Sequence, residues 1–401
     1  MNELNKKGFQ TRAVHAGERN KPGIYTPVSV PISPSVGYVY DSMDETDAVL
    51  GDPEKGFVYP RYASPTVSAL ESAVASLEGA EAVQAYSSGM AAIHAALLVA
   101  GAKSGAKILA AYDIYGATFS LIRSLFATLG VKAQFVDATD LLAVETMIKT
   151  IHPTLMIVET ISNPLLKVAN IPELVRITHL HGVQLLVDNT FGTPYLIKPL
   201  ELGADYVIHS ATKYFGGHGD VMAGLVATST MNKKMLYETN KMVGSVLGPF
   251  EAWLTLRGLK TLPLRMRQQC QNATQIANWL SSHPLINNVN FPGLKTHPQH
   301  ELALSLFGGK GFGGMLSFEI SGADKTKAFR FMESLELCLA ATTLGDVYTL
   351  VLHPASASHR GLTPQEREQV GISDGLVRLS AGIEDIEDIL ADLDQAFEKI
   401  S

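Results

Sequence analysis

From about residue 66 the chain alternates helical segments with short apolar runs: AVQAYS, KILAAYD, LMIVET, VQLLVDN, DYVIHS and GLVATS. Runs of this length, apolar throughout and separated by helices, predict strands buried on both faces. The alternation therefore predicts an α/β fold, a mostly parallel sheet with helices on both sides. Before it, residues 20–62 are rich in Pro, Gly and Tyr with little periodicity, which predicts an extended arm leaning on another surface. After it, GPFEAWLTLRGLKTLPLRMRQQCQNATQIANWL reads as a long helix interrupted near Pro263, and GGMLSFEISG and GLVRLSAGIED read as parts of a smaller α+β unit. The expected division is an arm over 1–62, a large domain over 63–260 and a small domain over 261–401. The chain has no internal repeat or low-complexity tract.

Composition narrows the picture. With 401 residues the chain can bury a large core, and with 18% charged residues and a net charge of -7 it shows no basic patch for nucleic acid. Small or acidic metabolites remain compatible through local positive sites. The start, MNELNKKGFQTRAVHAGE, has no apolar leader core, and no stretch approaches the ~20 apolar residues of a membrane helix. A cytoplasmic protein that avoids nucleic acid and membrane is expected. Cys270 and Cys338 lie far apart without metal-ligand spacing, so free thiols are expected.

Chemistry gathers at the strand ends, where open α/β sheets bind ligands. The first end carries Ser87, Ser88 and Gly89 before a good helix; free amides there suit a phosphate, although Ser and Gly also serve as plain caps. The second offers Tyr112 and Tyr115, each able to stack on a ring or to fill the core. The third ends in ETISNP and the fourth in LLVDNTF. Asp188 there either faces a cation or protonated ring nitrogen, or caps the next helix. The fifth is HSATKYFGGHGD, in which Lys213 stands between Thr212 and Tyr214. A lysine attacks a carbonyl only when neutral, and burial beside other cations favours that state. A phosphate cradle, a stacking tyrosine, an acid for a pyridinium nitrogen and an amine for a Schiff base together meet the demands of pyridoxal 5'-phosphate (PLP).

At these residues the sequence resembles the PLP-dependent Cys/Met-metabolism enzymes, a family that includes cystathionine γ-synthase, cystathionine γ-lyase and methionine γ-lyase. YSSGMAA, ETISNP, VDNTF, HSATKYFGGHGD and GLVRLSAGIED carry the resemblance, which runs from about RAVHAGE to the end. It implies the aspartate-aminotransferase-like fold of type I PLP enzymes. It implies that Lys213 holds the cofactor and then moves protons, that Asp188 meets the pyridine nitrogen and that Tyr115 stacks on the ring. Ser88, Gly89, Met90, Ser210 and Thr212 would hold the phosphate, and Asn163 would lie near the phenolic oxygen. Arg378, with Thr343, would receive the substrate carboxylate, with Tyr59 and Asn163 close by. In VYPRY, Tyr59 and Arg61 match residues that the family supplies from the neighbouring subunit's arm. A homotetramer built as a dimer of dimers, with shared sites, is the corresponding expectation.

Several residues have plainer readings. Arg378 sits in the strand-like LVRLS, where a structural ion pair is the alternative. His209 and His218 flank the lysine loop without ligand spacing and are expected to be satisfied polar histidines rather than a metal site. Cys270 is expected to pack in an amphipathic helix. GKGFGG, at 309–314, matches the dinucleotide pattern but leads into a strand, so it is expected to be a loop. A nicotinamide dehydrogenase would need a strand, glycine loop and helix that SSGMAA does not supply. A PLP-binding regulator without catalysis would be expected to have lost Lys213 or Arg378, and both are present.

For substrate, family members acting on cystathionine commonly carry Glu before a Ser-Leu-Gly-Gly run. Here Thr342 stands at that place, and Asp346 replaces the last Gly of that run. Strict methionine γ-lyases have Cys where this chain has Ala117, and a Lys-Asp pair where it has Asn240 and Lys241. The resulting expectation is a loosely specific γ-lyase for methionine or homocysteine, with γ-replacement on an activated homoserine as runner-up.

Overall fold

A computed structural model describes residues 3–18, 26–52, 55–361 and 363–401. Seven strands form the larger sheet: β1 (Ala82–Tyr86), β2 (Lys107–Ala111), β3 (Lys132–Val136), β4 (Leu155–Glu159), β5 (Gln184–Asp188), β6 (Tyr206–Ser210) and β7 (Gly224–Thr228). Their order is β1-β7-β6-β5-β4-β2-β3, and β7 alone runs against its neighbours. The carboxyl ends of β1, β2, β4, β5 and β6 consequently share one edge. The sheet is the α/β arrangement that the apolar runs predict.

Alternation along each strand feeds two cores. Leu185, Val187 and Val207 belong to the apolar layer on one face, which includes Leu70, Val74 and Leu77 of the helix Pro65–Glu78. Leu186, Tyr206 and Ile208 belong to the layer on the other, which includes Ile93 and Ala96 of the helix Gly89–Val99. With both faces covered, these strands gain nothing from polar alternation, hence the unbroken apolar runs. The edge strand β3 is the exception and has no counterpart among the runs read from the sequence. Its Lys132 and Gln134 face solvent, so it reads as amphipathic rather than buried.

The second sheet holds β8 (Ile286–Asn290), β9 (Met315–Ile320), β10 (Leu339–Ala340), β11 (Leu350–Leu352) and β12 (Leu376–Ser380), in the order β10-β11-β12-β9-β8. The helices Leu262–Ser281 and Ile386–Glu398 cover it through a core that includes Phe318, Phe331 and Phe397. The break expected near Pro263 falls at Lys260–Thr261, between the helices Pro249–Leu259 and Leu262–Ser281. GKGFGG is a loop with left-handed glycines at 309, 311 and 313, and it leads into β9. Cys270 lies buried in the helix Leu262–Ser281, and both cysteines are free thiols.

The arm differs from its expectation in one respect. Positions 20–25 and 53–54 of it lie outside the described residues, but Met43–Gly51 forms a helix. Ser42 Oγ accepts the Glu45 N–H at 3.1 Å, and Glu45 reaches back to the Asp41 N–H at 3.2 Å. The Ser-x-x-Glu spacing of a capping box supplied a start signal within the Pro/Gly-rich stretch.

Candidate active site

The loaded strand ends meet the second sheet around a cavity of about 450 Å³. Ser88, Gly89, Met90, Tyr115, Asn163, Asp188, Ser210, Thr212, Lys213 and Arg378 all line it, so residues far apart in sequence converge as expected.

At one end stands the N-terminus of the helix Gly89–Val99. Ser88 caps it, its Oγ accepting the Ala91 N–H at 3.1 Å. A Cβ on Gly89 would sit 2.8 Å from the Ser210 side chain, and one on Gly224 would sit 2.0 Å from the Ser88 carbonyl oxygen. Only glycine lets the helix end approach β6 and β7 this closely. Thr212 Oγ1 accepts the Ala223 N–H at 3.1 Å, which fixes that hydroxyl beside the same end. Helix-end amides and hydroxyls converging there suit an anion.

Asp188 closes β5. Its Oδ1 accepts both the N–H and the hydroxyl of Thr190, at 3.0 and 2.5 Å. Burial raises its pKa, while the two Thr190 bonds and His209 pull the other way. Glu159, paired with Asp188 in the register of β4 and β5, accepts the Tyr115 N–H at 2.6 Å. Burial first, then the charge of Asp188, holds the Glu159 carboxyl well above the usual range. Two adjacent carboxyls in one buried site do not ionise together easily, and here Glu159 is the one favoured to keep its proton.

Lys213 lies in the turn after β6, and its Nζ donates to Thr343 Oγ1 at 3.1 Å. Burial lowers its pKa, the neighbouring Arg378 charge lowers it further and Asp346 opposes both. The amine is thereby biased toward its neutral, nucleophilic form. Arg378, on β12, is buried; it donates to Asn163 Oδ1 at 3.2 Å and to the Thr343 carbonyl at 3.0 Å. Its Nε is buried with no hydrogen-bond partner among the described residues, and burial lowers the guanidinium pKa to about 10. No carboxylate pairs with Arg378 among the described residues, so the structural ion pair is not what this arginine makes.

Tyr59 and Arg61 do not line this cavity. Arg61 donates to the Lys241 carbonyl at 2.5 Å and lies over the rings of Tyr59 and Tyr62. Tyr112 lines an outer vestibule of about 790 Å³, together with Ala117, Asn163 and Ser358. His209 is buried against Glu78, and His218 bonds the Gly216 carbonyl. Among the described residues no three His, Cys, Asp or Glu side chains group as a metal site. Asn240 and Lys241 lie outside the inner cavity, whereas Thr342 lines it. Glu159, Thr190 and Ser358 also line it without having been singled out in the sequence. An acid ending the apolar LMIV run, and a threonine two residues after Asp188 in Asx-turn spacing, were the available signals for the first two.

The donor set suits a phosphorylated pyridine aldehyde. It offers donors for an anion at one pole, a half-buried carboxyl at another, and between them an amine biased to neutrality. The unpartnered Nε of Arg378 leaves a cationic donor for a carboxylate beside them.

Comparison with known proteins agrees. The family described as Cys/Met metabolism PLP-dependent enzyme matches residues 10–398. The L-methionine gamma-lyase of Fusobacterium nucleatum subsp. nucleatum is 42% identical over 404 residues, covering 99% of this chain and 100% of that protein. The cystathionine gamma-lyase of Bacillus subtilis is 44% identical over 348 residues, covering 86% of this chain and 89% of that one. The solved structure of cystathionine gamma synthase from Xanthomonas oryzae pv. oryzae, in complex with cystathionine, superposes with a TM-score of 0.91 at 37% identity, over 98% of each chain. Cavity and comparisons lead to one conclusion: the chain belongs to the Cys/Met-metabolism enzymes that depend on pyridoxal 5'-phosphate.

Proposed function

We propose that this PLP-dependent carbon–sulfur lyase carries out α,γ-elimination on methionine or homocysteine, releasing a thiol, ammonia and 2-oxobutanoate. The observation that carries the substrate choice is the wall of the cavity. Thr342 lines it where a distal ammonium would need an acid, and Ile161, Phe191, Leu344 and Leu352 make much of the rest apolar. A thioether or thiol side chain can leave water there without an unpaired charge.

In this reading Lys213 carries the cofactor, Asp188 holds the ring nitrogen and Tyr115 stacks on the ring. The helix start at Gly89 and Met90, with Ser88, Ser210 and Thr212, holds the phosphate, and Asn163 sits by the phenolic oxygen. When bound, the cofactor supplies an electron-withdrawing ring that makes the hydrogens at Cα, and then at Cβ, acidic. Arg378 and Thr343 fix the substrate carboxylate, which sets Cα beside Lys213. Lys213 Nζ, held by Thr343 Oγ1 and favoured as the free amine, would take the Cα proton and, after giving that proton up, take one from Cβ, so that the sulfur leaves Cγ with its electron pair and is protonated to the thiol, while water releases ammonia and 2-oxobutanoate. Tyr59 and Arg61 reach the phosphate and substrate of the neighbouring subunit, which makes at least a dimer with shared sites the working unit, and a homotetramer of two such dimers is the arrangement the family resemblance implies. Their distance from the cavity of their own chain supports this.

The vestibule supports γ-replacement as a second reading, because its size would admit a thiol-bearing second amino acid. Assays of thiol and 2-oxo acid across methionine, homocysteine, cystathionine, cysteine and O-acylhomoserines separate the two. Release from methionine or homocysteine supports the lyase. Cystathionine formation from O-succinylhomoserine and cysteine, with no cleavage of either thioether or thiol, would assign the replacement reaction.

A further inference from the structure

Directly behind Asp188, on the other face of the sheet, lies a polar cluster with no part in the chemistry derived so far. Along β6, Val207 belongs to the core under the helix Pro65–Glu78, and Ile208 to the core under the helix Gly89–Val99. His209 follows Val207 in this alternation and faces the first core, whereas Ser210 faces the cavity. There the His209 imidazole bonds the carboxylate of Glu78, with the two side chains 1% and 0% exposed. Asn189 joins them: its Nδ2 donates to Glu78 Oε1 at 3.5 Å and to the Ile197 carbonyl at 3.0 Å, and its Oδ1 accepts the Thr160 hydroxyl at 2.8 Å.

The arrangement is costly. Glu78 ends its helix, so its carboxyl sits at the negative end of the helix dipole, and its Oε2 is buried with no hydrogen-bond partner among the described residues. Buried acid–histidine pairs do not in general add stability over apolar packing, so a purely structural purpose explains it poorly. The bonds lead toward the cavity. Thr190, whose hydroxyl orients Asp188, accepts the N–H of Ser210, the residue next to His209. Asn189, the residue next to Asp188, donates its own N–H to the Ile208 carbonyl at 2.9 Å. His209 is thus linked to the Asp188 carboxyl through the Ser210 N–H and the Thr190 hydroxyl.

We infer that Glu78, His209 and Asn189 are positioning residues for Asp188, fixing the direction of its carboxyl through the β5–β6 bonds and the Thr190 hydroxyl. Glu159 on β4 flanks Asp188 on the cavity side, and the Glu78–His209–Asn189 cluster flanks it from behind. The inference rests on the reading of Asp188 as the partner of the cofactor's ring nitrogen, and it adds the device that holds that partner ready.

A double-mutant cycle on the holoenzyme tests it, with Glu78→Gln, Asp188→Ala and the pair, reading cofactor dissociation by equilibrium dialysis together with kcat and KM. Glu78→Gln should loosen the cofactor and lower kcat about tenfold, with KM within about twofold, and should add no more than about twofold once Asp188 is Ala. Effects that add in full in the Asp188→Ala background would show a purely structural cluster and overturn the inference. His209→Gln should repeat the cycle. Failure of both Glu78→Gln and His209→Gln chains to fold would likewise assign the cluster to stability alone and overturn it. Wild-type cofactor affinity in Asp188→Ala would instead remove the reading of Asp188 itself, a result distinct from additivity.

Discussion

Arg378→Ala removes a guanidinium that is only 3% exposed and whose Nε has no hydrogen-bond partner among the described residues. In the proposed site this group meets the substrate carboxylate away from bulk water, so solvent cannot replace it. Truncating one member of a buried, hydrogen-bonded charge pair costs about 2–5 kcal/mol. At about 1.4 kcal/mol per decade this is a fall of roughly 30-fold to several thousand-fold in kcat/KM for methionine. Most of it should appear in KM, because the carboxylate is bound in the ground state as well as during proton transfer. Arg378→Lys keeps the charge but loses the planar fork that now reaches Asn163 and Thr343, and about a tenfold loss is expected. Steady-state thiol release gives both constants, and the visible absorbance of the bound cofactor confirms that the site is loaded. A loaded Arg378→Ala enzyme with kcat/KM within about threefold of wild type would refute the carboxylate role.

Lys213 must lose its proton to react, so the rate at which the cofactor-free protein recaptures PLP should rise with pH, with a midpoint below that of an ordinary lysine. Arg378→Ala removes one cause of that depression and should move the midpoint up, whereas Asp346→Asn should move it down; shifts in the opposite directions would count against the assignment. Ala117→Cys should narrow the preference toward methionine over homocysteine, read as the ratio of kcat/KM values, and an unchanged ratio would exclude this position from selectivity. Mixing inactive Lys213→Ala and Arg61→Ala subunits should restore part of the activity, because a shared-site dimer then has one site with both defects and one with neither. No recovery despite demonstrated exchange would place Arg61 outside the partner's site.

The buried strands were legible because both of their faces are covered, which leaves apolar runs that helices do not break. The strand β3 escaped notice for the opposite reason, since Lys132 and Gln134 on the sheet edge blur the signal. The helix Met43–Gly51 hid inside a stretch dominated by Pro and Gly, although Ser42 and Glu45 mark its start. In the site, Lys213, Asp188 and the Ser88–Gly89 turn stood out as polar groups at the ends of apolar runs. Glu159 had the same signature but belongs to the supporting layer, holding the Tyr115 backbone. The Glu78–His209 contact joins residues 131 positions apart, and no local pattern in either segment announces it. Tyr59 and Arg61 were legible by resemblance alone, because the groups they are expected to meet belong to another chain.

Borohydride reduction of the holoenzyme, followed by peptide mapping, tests the central claim most directly. Reduction makes the link between cofactor and protein permanent, so the modified residue can be identified without an activity assay. The account predicts that the yellow absorbance is lost and that the reduced cofactor is found on the peptide containing Lys213, with no label in a Lys213→Ala chain. Label on a different lysine, or equal labelling of the Lys213→Ala chain, would contradict it.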